Sequence, residues 1–403
     1  MGLKNSGKGF MTDADVIIIG AGASGLMCAI EAGKRHRRVV VLDHGKQPGR
    51  KIIMSGGGRC NFTNMNMEAD NFISHNPHFV KSALSRFSQW DFLEMINTHD
   101  ISYHERDHGQ LFCNDSSEEI LKMLLKECKK VKVDVHLETT IDKVTQEETG
   151  SFSVSTDQGS FQASSLVVAT GGLSIPGAGA TPLGYRIAEQ FNIKLWPTRP
   201  GLVPFTLQPP DKTKLSELPG ISVDAMVTVG NHSFRENILF THRGLSGPVI
   251  LQISSMWPPG ETININLLPE IDLEEILKAA QSTSPKRKLK SLLTDFLPKR
   301  LVTAMVDEPV ADQALQPLSH TKFRTIAQSL QHWQLKPGGT EGYRTAEVTL
   351  GGVDCNAISS KTMEARQIKG LFFTGEVLDV TGWLGGYNLQ WAWSSGWCAG
   401  QYV

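Results

Sequence analysis

The segment Gly20-Ala21-Gly22-Ala23-Ser24-Gly25 spaces three glycines as G-x-G-x-x-G, between an apolar run and a helical pattern. Gly20 permits a tight turn, Gly22 lets the backbone approach a pyrophosphate, and Gly25 allows a helix to lie close to its strand. Ala23 and Ser24 open that helix, whose free N–H groups and dipole favour negative charge. Asp43 stands 18 residues past Gly25, where a carboxylate accepts hydrogen bonds from an adenosine ribose. Glycines alone fit a structural turn equally well. The order strand, helix, strand, acid points to dinucleotide binding.

NAD and FAD share this fingerprint, so other segments must choose. Leu166 to Gly172 is an apolar strand ending in small residues, which suits Thr170 and Gly171 to pass beneath a bound cofactor. Gly370 to Glu376 repeats the design, and Glu376, or failing that Asp379, is placed to accept hydrogen bonds from a ribityl chain. Gly385-Gly386-Tyr387-Asn388-Leu389 then opens a helix whose N–H groups face an isoalloxazine or a pyrophosphate. One dinucleotide held at both chain ends fits extended FAD better than NAD.

Lys51 to Asn61 contains Ser55, the triplet Gly56-Gly57-Gly58, Arg59 and Cys60. Three consecutive glycines cost backbone entropy and suit a flexible linker. Linkers are rarely bounded by Ile52-Ile53-Met54 and Arg59-Cys60-Asn61, so a loop tracking the flavin is preferred. Arg59 would offset charge on reduced flavin. Cys60 reads as a redox thiol or as a packed, unreactive one, the latter favoured because no partner cysteine is near in sequence. His242 is the candidate acid–base group, with a hydrogen-bonded structural histidine as the alternative.

These residues need a scaffold. Val16–Ile19 and Val39–Leu42 read as buried strands flanking a helix over 24–36. Helices are expected over 87–96 and 116–129, the second with a Ser116/Glu119 capping box, and from Thr181-Pro182 to Phe191. Further strands are expected at Val131–Leu137, Phe152–Ser155 and Leu166–Ala169. At Trp196 the character changes to proline-rich, alternating segments such as Ser222–Val229 and Thr262–Leu267, suited to a small antiparallel sheet or barrel. From Ile271 to Trp333 the spacing is helical, and no glycine occurs between 261 and 337. The glycine-rich style returns after Lys336. The division is therefore 12–195 for the first part of a dinucleotide domain, 196–270 for an inserted β-barrel and 271–335 for an inserted helical subdomain. Residues 336–403 finish the barrel and the dinucleotide domain.

Forty basic against 41 acidic residues and 40% hydrophobic content exclude a disordered chain and a globally basic nucleic-acid binder. The cluster Lys286, Arg287, Lys288 and Lys290 raises RNA binding, although one turn of bases without interleaved aromatics is usually a solvated face. Six cysteines without a C-x-x-C pair indicate free thiols in a reducing cytosol and no metal site. The longest apolar run, Val16–Ile30, is too short to span a bilayer. Met1-Gly2-Leu3-Lys4-Asn5-Ser6 fits the short myristoylation pattern, against which a loose leader ahead of Met11 is preferred. Of 38 glycines, where average usage predicts about 28, nine fall within 20–58, five within 171–184 and twelve within 338–400.

The segments Val16–Gly25, Gly49–Asn64, Ala169–Gly172, Leu202–Pro204, Phe240–Pro248, Thr349–Val353 and Gly375–Gly396 together resemble the bacterial BaiN-like, aminoacetone-oxidase-related NAD(P)/FAD-dependent oxidoreductases. The S-G-G-G-R-C-N and G-G-Y-N-L-Q-W-A stretches carry most of the resemblance. It implies an α/β fold with a discontinuous, glutathione-reductase-type FAD-binding Rossmann domain carrying an inserted small β-barrel and helical subdomain. Asp43 departs from the glutamate more usual in such flavoproteins, and Trp383-Leu384 is less polar than in many relatives.

No second G-x-G-x-x-G exists, so NAD(P)H is expected only as a transient electron donor. The small-molecule substrate is expected between the FAD domain and the insert. The chain thus reads as a cytoplasmic FAD-dependent oxidoreductase that reduces a conjugated C=C bond or oxidises an amine. A flavin-binding redox sensor and a flavoprotein acting on RNA are the alternatives. No stable nucleic acid and no membrane are expected as partners, and the oligomeric state is open.

Overall fold

The computed structural model describes residues 11–403, so the Met1–Ser6 pattern lies outside the described residues. The chain forms two compact units. One comprises the chain up to Arg199 together with Val348–Val403, and the other Pro200–Glu347.

The first unit is organised by a parallel sheet in the spatial order Leu371–Phe373, Ser165–Val168, Val16–Ile19, Val39–Leu42, Asp134–His136. All four residues of Val16–Ile19 and of Val39–Leu42 are buried. That explains why these strands are continuous apolar runs, as a sheet covered on both faces requires. Helix Ala23–Lys34 follows the first strand, and helix Tyr387–Gly400 packs against it where Gly396 and Gly400 leave no Cβ in the way of Ser24 and Glu31. A three-stranded antiparallel sheet, Asn61–Asn64, Gln110–Cys113 and Tyr103–Arg106, carries the chain beyond the glycine triplet.

Several expected elements shift. The strand expected over Val131–Leu137 is confined to Asp134–His136, because Val131 and Lys132 form the exit turn of helix Glu118–Lys130 and Lys132 takes φ 59°. The Ser116/Glu119 capping box does not form. The Ser116 hydroxyl accepts from the Glu118 N–H, but Ser117 is the cap residue, its own hydroxyl donates to the Ile53 carbonyl, and a Glu119 carboxylate oxygen is buried without a partner among the described residues.

In the second unit seven strands run in the order Trp333–Leu335, Ile263–Asn266, Ser222–Val229, His232–Phe240, Gly244–Ser246, Phe205–Thr206, Gly339–Thr340, each antiparallel to its neighbours. The two end strands are only two and three residues long and are not paired with each other, so the barrel expected here is an open sheet. Helices between Leu273 and Gln331 share one apolar core with this sheet, built on Leu277, Leu293, Leu301 and Phe323.

Candidate active site

Strand Val16–Ile19 ends at Gly20, whose φ is 112° and whose added Cβ would collide with the Ala169 carbonyl oxygen. A Cβ on Gly25 would collide with the Gly20 carbonyl oxygen. Gly22 differs: nothing lies within 4 Å of its would-be Cβ, and no side chain caps the helix that starts there. The outer glycines therefore let chain touch chain, and the middle one keeps an opening in front of unpaired helix N–H groups, an anion site. Asp43 holds the turn from the second strand. One carboxylate oxygen accepts from the Ala21 N–H at 2.7 Å and the other from the Gly45 N–H at 2.7 Å. A carboxylate has about four acceptor positions, so about two remain open to further donors.

A second cluster joins segments far apart in sequence. Lys51 Nζ lies 2.7 Å from Glu376 Oε2, while Glu376 Oε1 accepts from the Thr349 N–H at 2.9 Å. Thr349 Oγ1 in turn accepts from the Leu173 N–H at 2.8 Å and meets the Ser174 hydroxyl at 2.9 Å. Gly172 has room for no Cβ because Thr349 and Glu376 fill that space. The Thr170 hydroxyl is buried without a partner among the described residues and faces the position where Gly184 lacks a side chain. Gly375 sits where a Cβ would be 2.6 Å from Ser24 Oγ, which brings the C-terminal motif onto the first turn.

The glycine triplet is no linker. Gly56, Gly57 and Gly58 have φ of 57°, 65° and 88°, a left-handed run that residues with a Cβ adopt only at a cost of roughly 1–2 kcal/mol each. Ser55 donates to the Ile52 carbonyl at one end, and Cys60, itself at φ 48°, donates its N–H to the Ser55 carbonyl at the other. Gly57 and Gly58 face open space. Arg59 is exposed, and its guanidinium has no partner among the described residues. Asn61 lies against Gln110 and beside Gly386, whose φ is 95° and which opens the Tyr387–Gly400 helix without a side-chain cap. Asn388 spends its side chain bridging the Gly382 N–H and carbonyl, and the Tyr387 hydroxyl donates to the Asn66 carbonyl. The stretch ends at the half-buried Leu389, and its helix starts without a side-chain cap.

Burial and pairing separate the remaining candidates. Asp379 is buried: it accepts from the His75 N–H and faces His75 Nδ1 at 2.9 Å, and desolvation raises its carboxyl despite the histidine, so it is spent on that loop instead of a ribityl chain. Cys60 is fully buried and its thiol is pushed up to about 12 by desolvation, which leaves it unreactive. In the basic cluster, Arg287 pairs with Asp295 at 2.7 Å and Lys288 with Asp312 at 3.5 Å. His242 lies in the second unit, exposed in the Thr241–Gly244 turn, with no partner for its ring among the described residues. The sequence assigns no role to Thr349, Ser174 or His75. Their partners are 27 to 304 residues away, and no local pattern marks such pairs.

Open space at Gly22, Gly57 and Gly58, two uncapped helix starts and a buried unpartnered hydroxyl fit an extended dinucleotide. The Gly20–Gly25 turn and Asp43 would hold its adenosine half, and Lys51, Glu376 and the 385–389 helix start its flavin half. The parallel sheet and this site define an FAD-binding Rossmann oxidoreductase, and FAD is its cofactor. When bound, FAD supplies hydride chemistry that side chains cannot.

The chain belongs to the HI0933-like family, whose model, described as the HI0933-like protein Rossmann domain, matches residues 14–402. It is 54% identical over 389 residues to the ribosomal RNA dihydrouridine synthase of Escherichia coli (strain K12), covering 96% of this chain and 97% of that one. It is 28% identical over 402 residues to the 3-dehydro-bile acid delta(4,6)-reductase of Clostridium scindens, covering 95% and 97%. This is the BaiN-like resemblance, and it is the more distant of the two. Among solved structures, the 3-ketosteroid-delta4-(5alpha)-dehydrogenase from Rhodococcus jostii RHA1 shares the fold at TM-score 0.51 and 14% identity over 96% of each chain. No helix among the described residues is long and apolar enough to cross a membrane.

Proposed function

We propose that this flavoprotein reduces a carbon–carbon double bond conjugated to a carbonyl, and that its substrate is a uracil base in ribosomal RNA. The observation that carries this is the match to a protein named for dihydrouridine synthesis, 54% identical across nearly the full length of both chains. The 28% relative named as a delta(4,6)-reductase supports the same bond chemistry on a different molecule. A uracil ring and an unsaturated ketone both accept hydride at the carbon beta to the carbonyl and a proton at the carbon alpha to it.

Reduced nicotinamide is the proposed electron donor, meeting the flavin transiently, since the sequence holds a single G-x-G-x-x-G. Amine oxidation falls behind because neither relative's name includes it. In the Lys286–Lys290 cluster two of the four charges are engaged by carboxylates, which argues against it as the RNA contact.

The test is anaerobic. Holoenzyme is bleached with NADPH or NADH and then mixed with unmodified ribosomal RNA. Flavin absorbance should return and the RNA should gain dihydrouridine, read as a two-dalton mass increase on a nuclease fragment. Reduced flavin that persists with RNA would reject the reading and favour a redox sensor.

A further inference from the structure

The three-stranded sheet that follows the glycine triplet carries an arginine on which the cofactor segments make no demand. Arg106 ends strand Tyr103–Arg106 and is paired in register with Gln110 across a tight hairpin. Gln110 faces two segments assigned to the flavin half. Its side chain meets that of Asn61 at 2.9 Å, and a Cβ on Gly385 would stand 3.1 Å from its Cγ. The hairpin tip is tied to the same place. The buried Asn64 amide donates to the Gly385 carbonyl at 2.8 Å and to the His108 carbonyl at 3.1 Å. All of these residues belong to the first unit.

An exposed cation alone marks nothing, but Arg106 is both exposed and held. Its guanidinium carbon lies 4.3 Å from the centre of the Phe112 ring, and its Nε donates to His104 Nε2 at 3.1 Å. Arginine Nε–H can only donate, so His104 Nε2 accepts. That puts the ring proton on Nδ1, 2.7 Å from Asn114 Oδ1. The His104 ring lies along that of Phe112, with centroids 6.1 Å apart and planes at 19°. Phe112 is wedged against the triplet, where a Cβ on Gly56 would stand 2.9 Å from its Cε1. Asn114, His104 and Phe112 thus fix the guanidinium plane next to the Gly56–Gly58 loop.

No carboxylate pairs with Arg106 among the described residues, the flanking Glu105 and Asp107 included. With Nε spent on His104, both Nη groups keep their donors, in the fork that matches two oxygens of a phosphate. A guanidinium fixed before its ligand arrives loses less entropy on binding it. Arg59, whose carbonyl accepts from the Cys113 N–H at 2.9 Å, adds a second exposed arginine beside the same strand.

We propose that Arg106 binds a backbone phosphate of the RNA and so seats the strand beside the flavin half of the site. The assignment rests on the RNA reading of the substrate. The phosphates of NADPH carry the same chemistry, and the experiment separates the two sources.

The test uses FAD-loaded full chains of wild type, R106Q, R106K and H104A. Binding to a labelled, unmodified ribosomal RNA fragment is followed by fluorescence anisotropy at several salt concentrations. Reoxidation of dithionite-reduced flavin is followed at several RNA concentrations. R106Q should weaken RNA binding about tenfold or more and lower the slope of log affinity against log salt by about one. It should raise the RNA concentration for half-maximal reoxidation more than it lowers the maximal rate. R106K keeps the charge without the fork, so it should retain the salt slope and bind between the two. H104A frees the guanidinium and should cost a few-fold in affinity at unchanged slope. The NADPH concentration that bleaches the flavin should be the same in R106Q as in wild type.

R106Q with wild-type affinity and salt slope overturns the proposal, as does wild-type RNA binding that ignores salt. R106K and H104A both as tight as wild type would reject the held fork and overturn it too. A raised NADPH requirement in R106Q with RNA binding intact would give the arginine to the nicotinamide instead. Wild type that binds RNA through Arg106 yet is not reoxidised by it fails the reductase reading and leaves this assignment standing. Should R106Q not retain flavin, R106K and H104A decide the outcome.

Discussion

Two glycine clusters in the first unit look alike in sequence and do opposite things. In Gly20–Gly25 the outer glycines are crowded, since a Cβ would strike the Ala169 or the Gly20 carbonyl oxygen. In Gly56–Gly58 the last two glycines face open space, and what they supply is conformation, three successive left-handed residues. Gly22 belongs with neither, having an ordinary φ of −89° and nothing within 4 Å. A missing side chain thus serves packing at one place, backbone handedness at another, and room for a ligand at a third.

Substitution by alanine separates these roles. G25A should have the largest effect, because the colliding atom is backbone and cannot step aside. A loss of about 3 kcal/mol or more, or no folded protein, is expected in a urea titration. G22A should leave stability within roughly a few tenths of a kcal/mol, as Gly and Ala differ little at an N-cap, yet weaken FAD at least tenfold, about 1.4 kcal/mol, by fluorescence titration of the apoprotein. Undiminished FAD affinity would remove Gly22 from the cofactor site. G57A should cost about 1–2 kcal/mol through its φ of 65° with no steric clash. A G57A protein as stable as wild type would show that the loop does not hold that conformation in solution.

The smallest effect is a linkage effect on Glu347. Its folded pKa is raised by desolvation, so the folded state binds the proton more tightly than the unfolded chain does. Ionisation then costs stability. The melting temperatures of wild type and E347Q should coincide below about pH 3, where the acid is protonated in both states. They should separate as pH rises through the raised value, with E347Q the more stable. Parallel curves at all pH values would show that the carboxyl is not desolvated.

Much of the nucleotide end was readable because its signals are local. Val16–Ile19 and Val39–Leu42 are buried at every position, so unbroken β-branched runs mark them to the residue. Asp134–His136 is an edge strand, exposed in part, and its limits depend on a helix exit turn that the apolar pattern over 131–137 conceals. Glu376, or failing that Asp379, reads from the sequence as the acid available to a ribityl chain. Packing separates them, giving one to Lys51 and Thr349 and burying the other behind His75. Glu347 carried no signal at all, since its altered acidity comes from the atoms that surround it and not from a neighbour in the chain.

The sequence by itself determined the Rossmann turn, its acid, the return of the chain to the same sheet after a different middle block, and FAD as the cofactor class. These rest on short-range rules of spacing, backbone freedom and strand burial, which act over a few residues. Only the tertiary structure decided which acid pairs with Lys51, that the glycine triplet is a left-handed turn and that Cys60 is sealed. Hydrogen-bond partners and local dielectric are set by atoms hundreds of residues away, and those become neighbours only when the chain has folded.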